Sequence, residues 1–181
     1  IVAQGQVEPN RTVTVRAETA GKIAEVVAEE GRAVQAGDVL VRIELADRQV
    51  RLNKAEALVR EWQRAHEGAD RLGEKGYQSQ RLIDETYSEL QSAQAALEEI
   101  RLEISNTAIR APFDGILEAR RVELGDYVAV NGEIATIVDN DPLVVAVQIA
   151  QQAIEDIALG DAATVAFATG QEGEGPVRYV A

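Results

Sequence analysis

The 181-residue sequence predicts an elongated, multidomain α+β chain. A small β-sandwich is split by a long antiparallel helical hairpin and followed by part of a small β-barrel. Three observations lead there. A glycine-punctuated, β-patterned segment occurs twice, at 20–44 and 114–138. Between the copies the composition turns helical and adopts heptad spacing. After Asp139-Asn140-Asp141-Pro142, short strand patterns return.

The two copies read AGKIAEVVAEEGRAVQAGDVLVRIE and DGILEARRVELGDYVAVNGEIATIV. Gly21 aligns with Gly115, Gly31 with Gly125 and Val34 with Val128. Gly37-Asp38-Val39 then matches Gly132-Glu133-Ile134, with one extra residue placed before Gly132. Short β-branched runs such as Val39, Val41, Ile43 suit half-buried strands, and glycines fall in the turns. One copy of about 25 residues is too small to bury its own apolar face, so two facing copies form one sandwich.

From Ala46 to about Ser105 there is no Pro, and Glu, Gln, Arg, Leu and Ala dominate. Ile83, Leu90, Leu97 and Ile104 recur every seven residues, interleaved with Thr86, Ala93 and Ile100. Leu45, Leu52 and Val59, with Ala55, Trp62 and Ala69, form a weaker matching series that falters at His66 and Gly68. Gly73 and Gly76 break the pattern, which predicts helices over 46–72 and 80–105, each about 40 Å long at 1.5 Å per residue. Ser79 suits the N-cap of the second. Beyond Pro142, the pattern predicts strands over Leu143–Ile149 and Ala162–Ala168, a short helix over Gln151–Leu159, a Gly-rich loop at 170–175 and a closing strand over Val177–Ala181. The chain also opens at Ile1 on a strand pattern, so both ends read as cuts in a longer protein.

Hydrophobic residues make up 46% and charged residues 27%, enough for a core. Aromatics at 4% argue against an aromatic-walled ligand pocket. A net charge of −13 excludes nucleic acid as a partner and disfavours an anionic membrane surface. No Cys is present, so neither a disulfide framework nor thiol chemistry is available, and an oxidising compartment fits. No run approaches the roughly 20 apolar residues of a membrane helix, and no signal peptide is visible. No catalytic triad, Walker loop or dinucleotide fingerprint occurs, so no enzyme activity and no cofactor are expected. The lone His66 lacks metal-ligating company, so no metal site is expected either. Trp62 reads as packing, and the charges flanking the heptads (Arg60, Glu61, Arg64, Glu67; Glu85, Glu89, Glu98, Glu99) as a solvated face.

The paired half-motifs, the run Ile109-Arg110-Ala111-Pro112-Phe113-Asp114-Gly115 and the segment VVAVQIAQQAIEDIALGDAATV resemble the periplasmic adaptor, or membrane fusion, proteins of RND-type efflux pumps. The resemblance implies a lipoyl-like sandwich domain over 10–45 plus 106–138, a hairpin over 46–105 with its tip near 72–79, and a partial β-barrel over 1–9 plus 139–181. It implies a periplasmic protein anchored to the inner membrane. That protein would link an inner-membrane RND transporter to an outer-membrane channel for efflux of drugs or other small toxic compounds, with several copies forming a ring or tube. It further implies channel contact through an Arg, a Leu four residues on and a Ser seven after that. Leu72 and Ser79 satisfy the second interval; Gly68 stands where the pattern has Arg, with Arg71 or Arg64 nearby on another helical face. Two alternatives are an adaptor for an ABC-type exporter and a lipoyl or biotinyl carrier. The carrier needs a lysine in the turn that the hairpin replaces, and the nearest basic residue there is Arg48.

Overall fold

A computed structural model of the chain describes residues 1–180, apart from the side chains of 151–153. In chain order the elements are β1 (Gly5–Glu8), β2 (Arg11–Arg16), β3 (Gly21–Val26), β4 (Ala33–Val34), β5 (Val39–Ile43), α1 (Arg48–Glu74) and α2 (Gln80–Ser105). There follow β6 (Ala108–Arg110), β7 (Gly115–Arg120), β8 (Tyr127–Val128), β9 (Glu133–Asp139), β10 (Val144–Val147), a 3₁₀ turn over Gln151–Asp156, β11 (Ala162–Ala166) and β12 (Glu172–Pro176). They group into two compact units, one of Asn10–Asp141 and one of Ile1–Pro9 with the chain from Pro142 onward.

In the larger unit, two four-stranded antiparallel sheets, β2-β9-β7-β4 and β6-β5-β3-β8, close over one core. The repeat copies do not each build a sheet. They trade their shortest strands: β4 of the first pairs with β7 of the second, and β8 of the second pairs with β3 of the first. The exchange is nearly two-fold symmetric. Val34 sits opposite Gly115 as Val128 sits opposite Gly21, and Gly31 N–H donates to Leu117 O at 2.7 Å as Gly125 N–H donates to Ile23 O at 2.9 Å. Ile23, Leu40, Val41, Leu117, Ile134 and Ile137 fill the centre, each essentially without solvent contact. A side chain at Gly21 would collide with Ile43 Cγ2, and one at Gly115 would lie 2.5 Å from Val138 O, so both positions are fixed by close backbone approach.

The same symmetry corrects the repeat alignment. Gly37 N–H donates to Ala111 O and Asn131 N–H to Ala17 O; Ala111 N–H donates to Asp38 O and Ala17 N–H to Gly132 O. The structural counterpart of Gly37 is therefore Asn131, not Gly132, and no extra residue intervenes: Ile43 lies opposite Ile23 as Ile137 lies opposite Leu117, so the copies stay in register through the next strand. Both residues take left-handed φ, +90° and +66°, a conformation that Asn tolerates better than most side chains do.

The Ala111–Gly115 run is a structural clamp. Asp114 Oδ1 accepts the Ala36 N–H at 2.7 Å, securing the first copy's turn, and the Arg11 guanidinium lies 3.6 Å above the buried Phe113 ring. Asp139 takes hydrogen bonds from Asp141 N–H and from the Asn10 side chain, which with Arg11 hold its carboxyl below the ordinary aspartate value.

In the smaller unit, β1 pairs with β10 and β11 with β12, both antiparallel. Several strand limits differ from the sequence expectation. Residues 1–4 are irregular, the first strand after Pro142 ends at Val147, and the next ends at Ala166. The helical segment is a 3₁₀ turn ending at Asp156. The expected loop at 170–175 contains β12, while 177–180 form no strand and Ala181 lies outside the described residues. The cause is a tight turn: Phe167 N–H donates to Gln171 O at 2.8 Å, Gly170 takes φ +83°, and Gly173 leaves room for the Phe167 ring across the pair.

Candidate interaction site at the hairpin tip

The helices α1 and α2 form an antiparallel hairpin whose seam alternates three- and four-residue steps. Thr86, Leu90, Ala93, Leu97 and Ile100 are buried on α2 against Ala69 and the half-buried Leu52, Ala55, Val59, Trp62 and His66 of α1. The first series thus does not falter at His66; that residue occupies a seam position. Leu45, in contrast, precedes α1 and is exposed. The Thr86 hydroxyl has acceptors at Leu82 O (2.9 Å) and Ile83 O (3.0 Å), and His66 Nδ1 lies 3.3 Å from the same oxygen. With its single proton directed at a carbonyl, Thr86 accepts from His66, which places the imidazole proton on Nδ1. The ring also packs on Tyr87, centroids 5.4 Å apart. Nearer the tip, Gly73 lets the helices close in, since a Cβ there would strike Ile83 Cδ1.

At the root, Arg51 grips Glu103 through both terminal nitrogens, at 2.7 and 2.9 Å. This hydrogen bonding holds the Glu103 carboxyl below its ordinary value and raises the Arg51 guanidinium.

The tip is defined by how α1 stops. Gly76 takes φ +76°, its N–H donates to Gly73 O at 2.8 Å, and Tyr77 N–H reaches back to Leu72 O at 2.9 Å. This is a Schellman ending with Gly at C′, so Leu72 and Tyr77 are the residues whose backbones close it. Their side chains face solvent, 47% and 78% exposed, and Leu82 of α2 adds a third exposed apolar group. Ser79 occupies the N-cap of α2 in extended conformation, but its hydroxyl makes no cap bond; its carbonyl accepts Leu82 N–H at 3.1 Å. Arg71 folds back, its Nε donating to Glu67 O at 3.0 Å.

Of the three residues singled out from sequence, Ser79 lies at the N-cap of α2, and Arg71 and Leu72 lie in the last turn of α1. Gly68 is one turn back, and a side chain built there meets nothing within 4 Å. Tyr77, an aromatic that directly follows the helix-terminating Gly76, is a further exposed residue of this turn that the sequence reading does not single out. Arg48 enters the sequence reading only as the basic residue nearest the carrier turn; its part-buried bonds at the hairpin root leave no local signal.

A family model described as "CzcB-like, barrel-sandwich hybrid domain" matches residues 11–139. The nodulation protein NolF of Rhizobium meliloti is 32% identical over 149 residues, which cover 75% of this chain and 41% of NolF. The multidrug resistance protein MdtA of Yersinia enterocolitica is 28% identical over 138 residues, covering 68% of this chain and 31% of MdtA. The chain thus spans less than half the length of these relatives. Among solved structures, a MacA-MexA chimeric protein containing the Pseudomonas aeruginosa MexA α-hairpin domain shares the fold, with a TM-score of 0.90, 22% identity, and coverage of 98% of this chain and 66% of that one.

Proposed function

The chain belongs to the CzcB-like barrel-sandwich hybrid family, and from that premise we propose that the whole protein is a periplasmic adaptor anchored at the inner membrane. It connects an RND-type transporter there to an outer-membrane channel, several copies surround the export path, and drugs or other small toxic compounds are the cargo. The name of one relative, the multidrug resistance protein MdtA, supports this cargo class. The role is mechanical: a connector, not a catalyst.

The observation that carries the reading is the tip. Two paired helices of 27 and 26 residues end in solvent-facing Leu72 and Tyr77, held by a Schellman ending. Exposed apolar groups on a braced end suit docking against another protein's helices, with the Ser79 hydroxyl and the Arg71 guanidinium supplying polar contacts at the edge. The carrier alternative has no support at its attachment corner, which is occupied by the start of α1 and by Arg48.

The test is export in cells whose own gene is deleted and replaced by variants. Burying the exposed half of a leucine is worth about 1 kcal/mol, so Leu72→Ala weakens docking roughly fivefold. Leu72→Asp places an unpaired carboxylate in the contact and costs several kcal/mol more, abolishing export while the purified chain melts as a folded protein. Wild-type export by the Asp variant would remove the tip from the docking surface.

A further inference from the structure

We propose that Arg48 is a positioning residue that fixes the direction of the hairpin on the sandwich. The two chain crossings that join these parts differ in character. On the return, Thr107 is buried, its hydroxyl donates to Ile104 O at 2.6 Å, and its carbonyl accepts Ile43 N–H at 2.8 Å. On the way out, Ala46 sits at φ +49°, unfavourable for a residue with a Cβ, and Asp47 stands at the N-cap of α1 with no side-chain cap bond. The outgoing crossing is held by backbone bonds from Glu44 N–H to Lys22 O at 2.8 Å and from Arg48 N–H to Leu45 O at 2.9 Å, but neither ties α1 itself to the sandwich.

Arg48 supplies the constraint. Its Nη2 donates to Thr19 Oγ1 at 2.8 Å and to Ala20 O at 2.9 Å, both in the turn leading into β3 of the sandwich. Its Nη1 lies 3.4 Å from Glu44 O on the outgoing crossing, and its Nε is 3.9 Å from Glu103 on α2. One planar guanidinium, its side chain only 12% exposed, thus spans the sandwich, the crossing and the second helix. A lysine has no such fork and cannot meet Thr19 and Ala20 from the same position while facing Glu103. Gly21 makes the arrangement possible: without a Cβ, the Thr19–Ala20 turn lies close against the end of β5, within reach of α1. Arg51, one turn further on, bonds Glu103 and so ties helix to helix. The two arginines divide the work: Arg51 closes the hairpin and Arg48 aims it. Aim matters because the helix is a lever about 40 Å long, on which a 10° swing at the root moves the tip about 7 Å.

This inference is independent of the adaptor reading and is tested without any partner. The chain has no cysteine, so spin labels at Glu74→Cys near the tip and Arg32→Cys on the sandwich report one distance distribution by double electron–electron resonance. Arg48→Lys, which keeps the charge, is expected to broaden that distribution at least twofold with unchanged helix content, and Arg48→Ala to do the same. Arg51→Gln, which breaks the helix-to-helix bridge but leaves Arg48 with Thr19, Ala20 and Glu103, is expected to leave the width unchanged. A wild-type width in Arg48→Lys, or equal broadening in Arg51→Gln, would overturn the assignment.

Discussion

One chemical change, glycine to alanine, should have opposite signs at two positions in this chain. At Gly68, inside α1, a new Cβ meets nothing within 4 Å. The substitution there removes the backbone freedom that makes glycine a poor helix residue, a gain of about 1 kcal/mol. At Gly115 the new Cβ would lie 2.5 Å from Val138 O and 3.0 Å from Ile137 Cγ2, and neither neighbour is free to yield: the first is backbone in β9 and the second belongs to a fully buried side chain. Overpacking of this kind costs about 1–3 kcal/mol or more, which exceeds the entropic benefit of removing a glycine. Urea denaturation followed by far-ultraviolet circular dichroism reads both variants against wild type at unchanged slope. The midpoint should rise for Gly68→Ala and fall for Gly115→Ala. If both moved the same way, close approach would not be what fixes glycine in the Ala111–Gly115 run.

Two further outcomes are expected. Because Arg51 holds the Glu103 carboxyl below its ordinary value, that carboxylate contributes fully at neutral pH and loses its contribution as pH falls through the depressed value. Thermal melts of wild type below about pH 4 should therefore drop more steeply than those of Glu103→Gln, and parallel curves would contradict the bridge. In the seam, Thr86→Val leaves His66 Nδ1–H without its acceptor and should cost about 1 kcal/mol, whereas adding His66→Leu replaces the polar layer with an apolar one and should recover it. Urea midpoints of the two single variants and the double variant decide this, since additive losses would mean that the two side chains are not coupled.

How much of this was legible in advance depended on the range over which each signal acts. The helices were readable because heptads repeat over many turns, and the core strands because β-branched residues cluster between glycines. The strand exchange was not, since Ala33–Val34 and Tyr127–Val128 are too short to display a two-residue period. The equivalence of Gly37 and Asn131 was hidden for another reason: left-handed φ is a backbone property that two different residues satisfy. Strand β12 reads as a loop because Gly173 and Gly175 lower strand propensity, while the ring of Phe167 that accounts for Gly173 lies across the hairpin. At the tip, Leu72 and Ser79 follow only from the family resemblance, which implies a Leu and a Ser seven residues apart. Arg48 could not be found, because its acceptors lie 28 and 29 residues away and exist only after the chain has folded.

The exchanged strands also change what the hairpin means for assembly of the fold. Since β4 is completed by β7 and β8 by β3, the smallest piece able to close both sheets runs from β2 to β9 with the helices inside it. Were the span between β5 and β6 a flexible loop of about 60 residues, bringing its ends together would cost roughly 3.6 kcal/mol in chain entropy. Zipping the seam through neighbouring turns returns the chain to its starting point by local steps, so little closure remains when the halves meet. The same pair of helices that projects the tip outward is the splint that lets a divided sandwich find its other half.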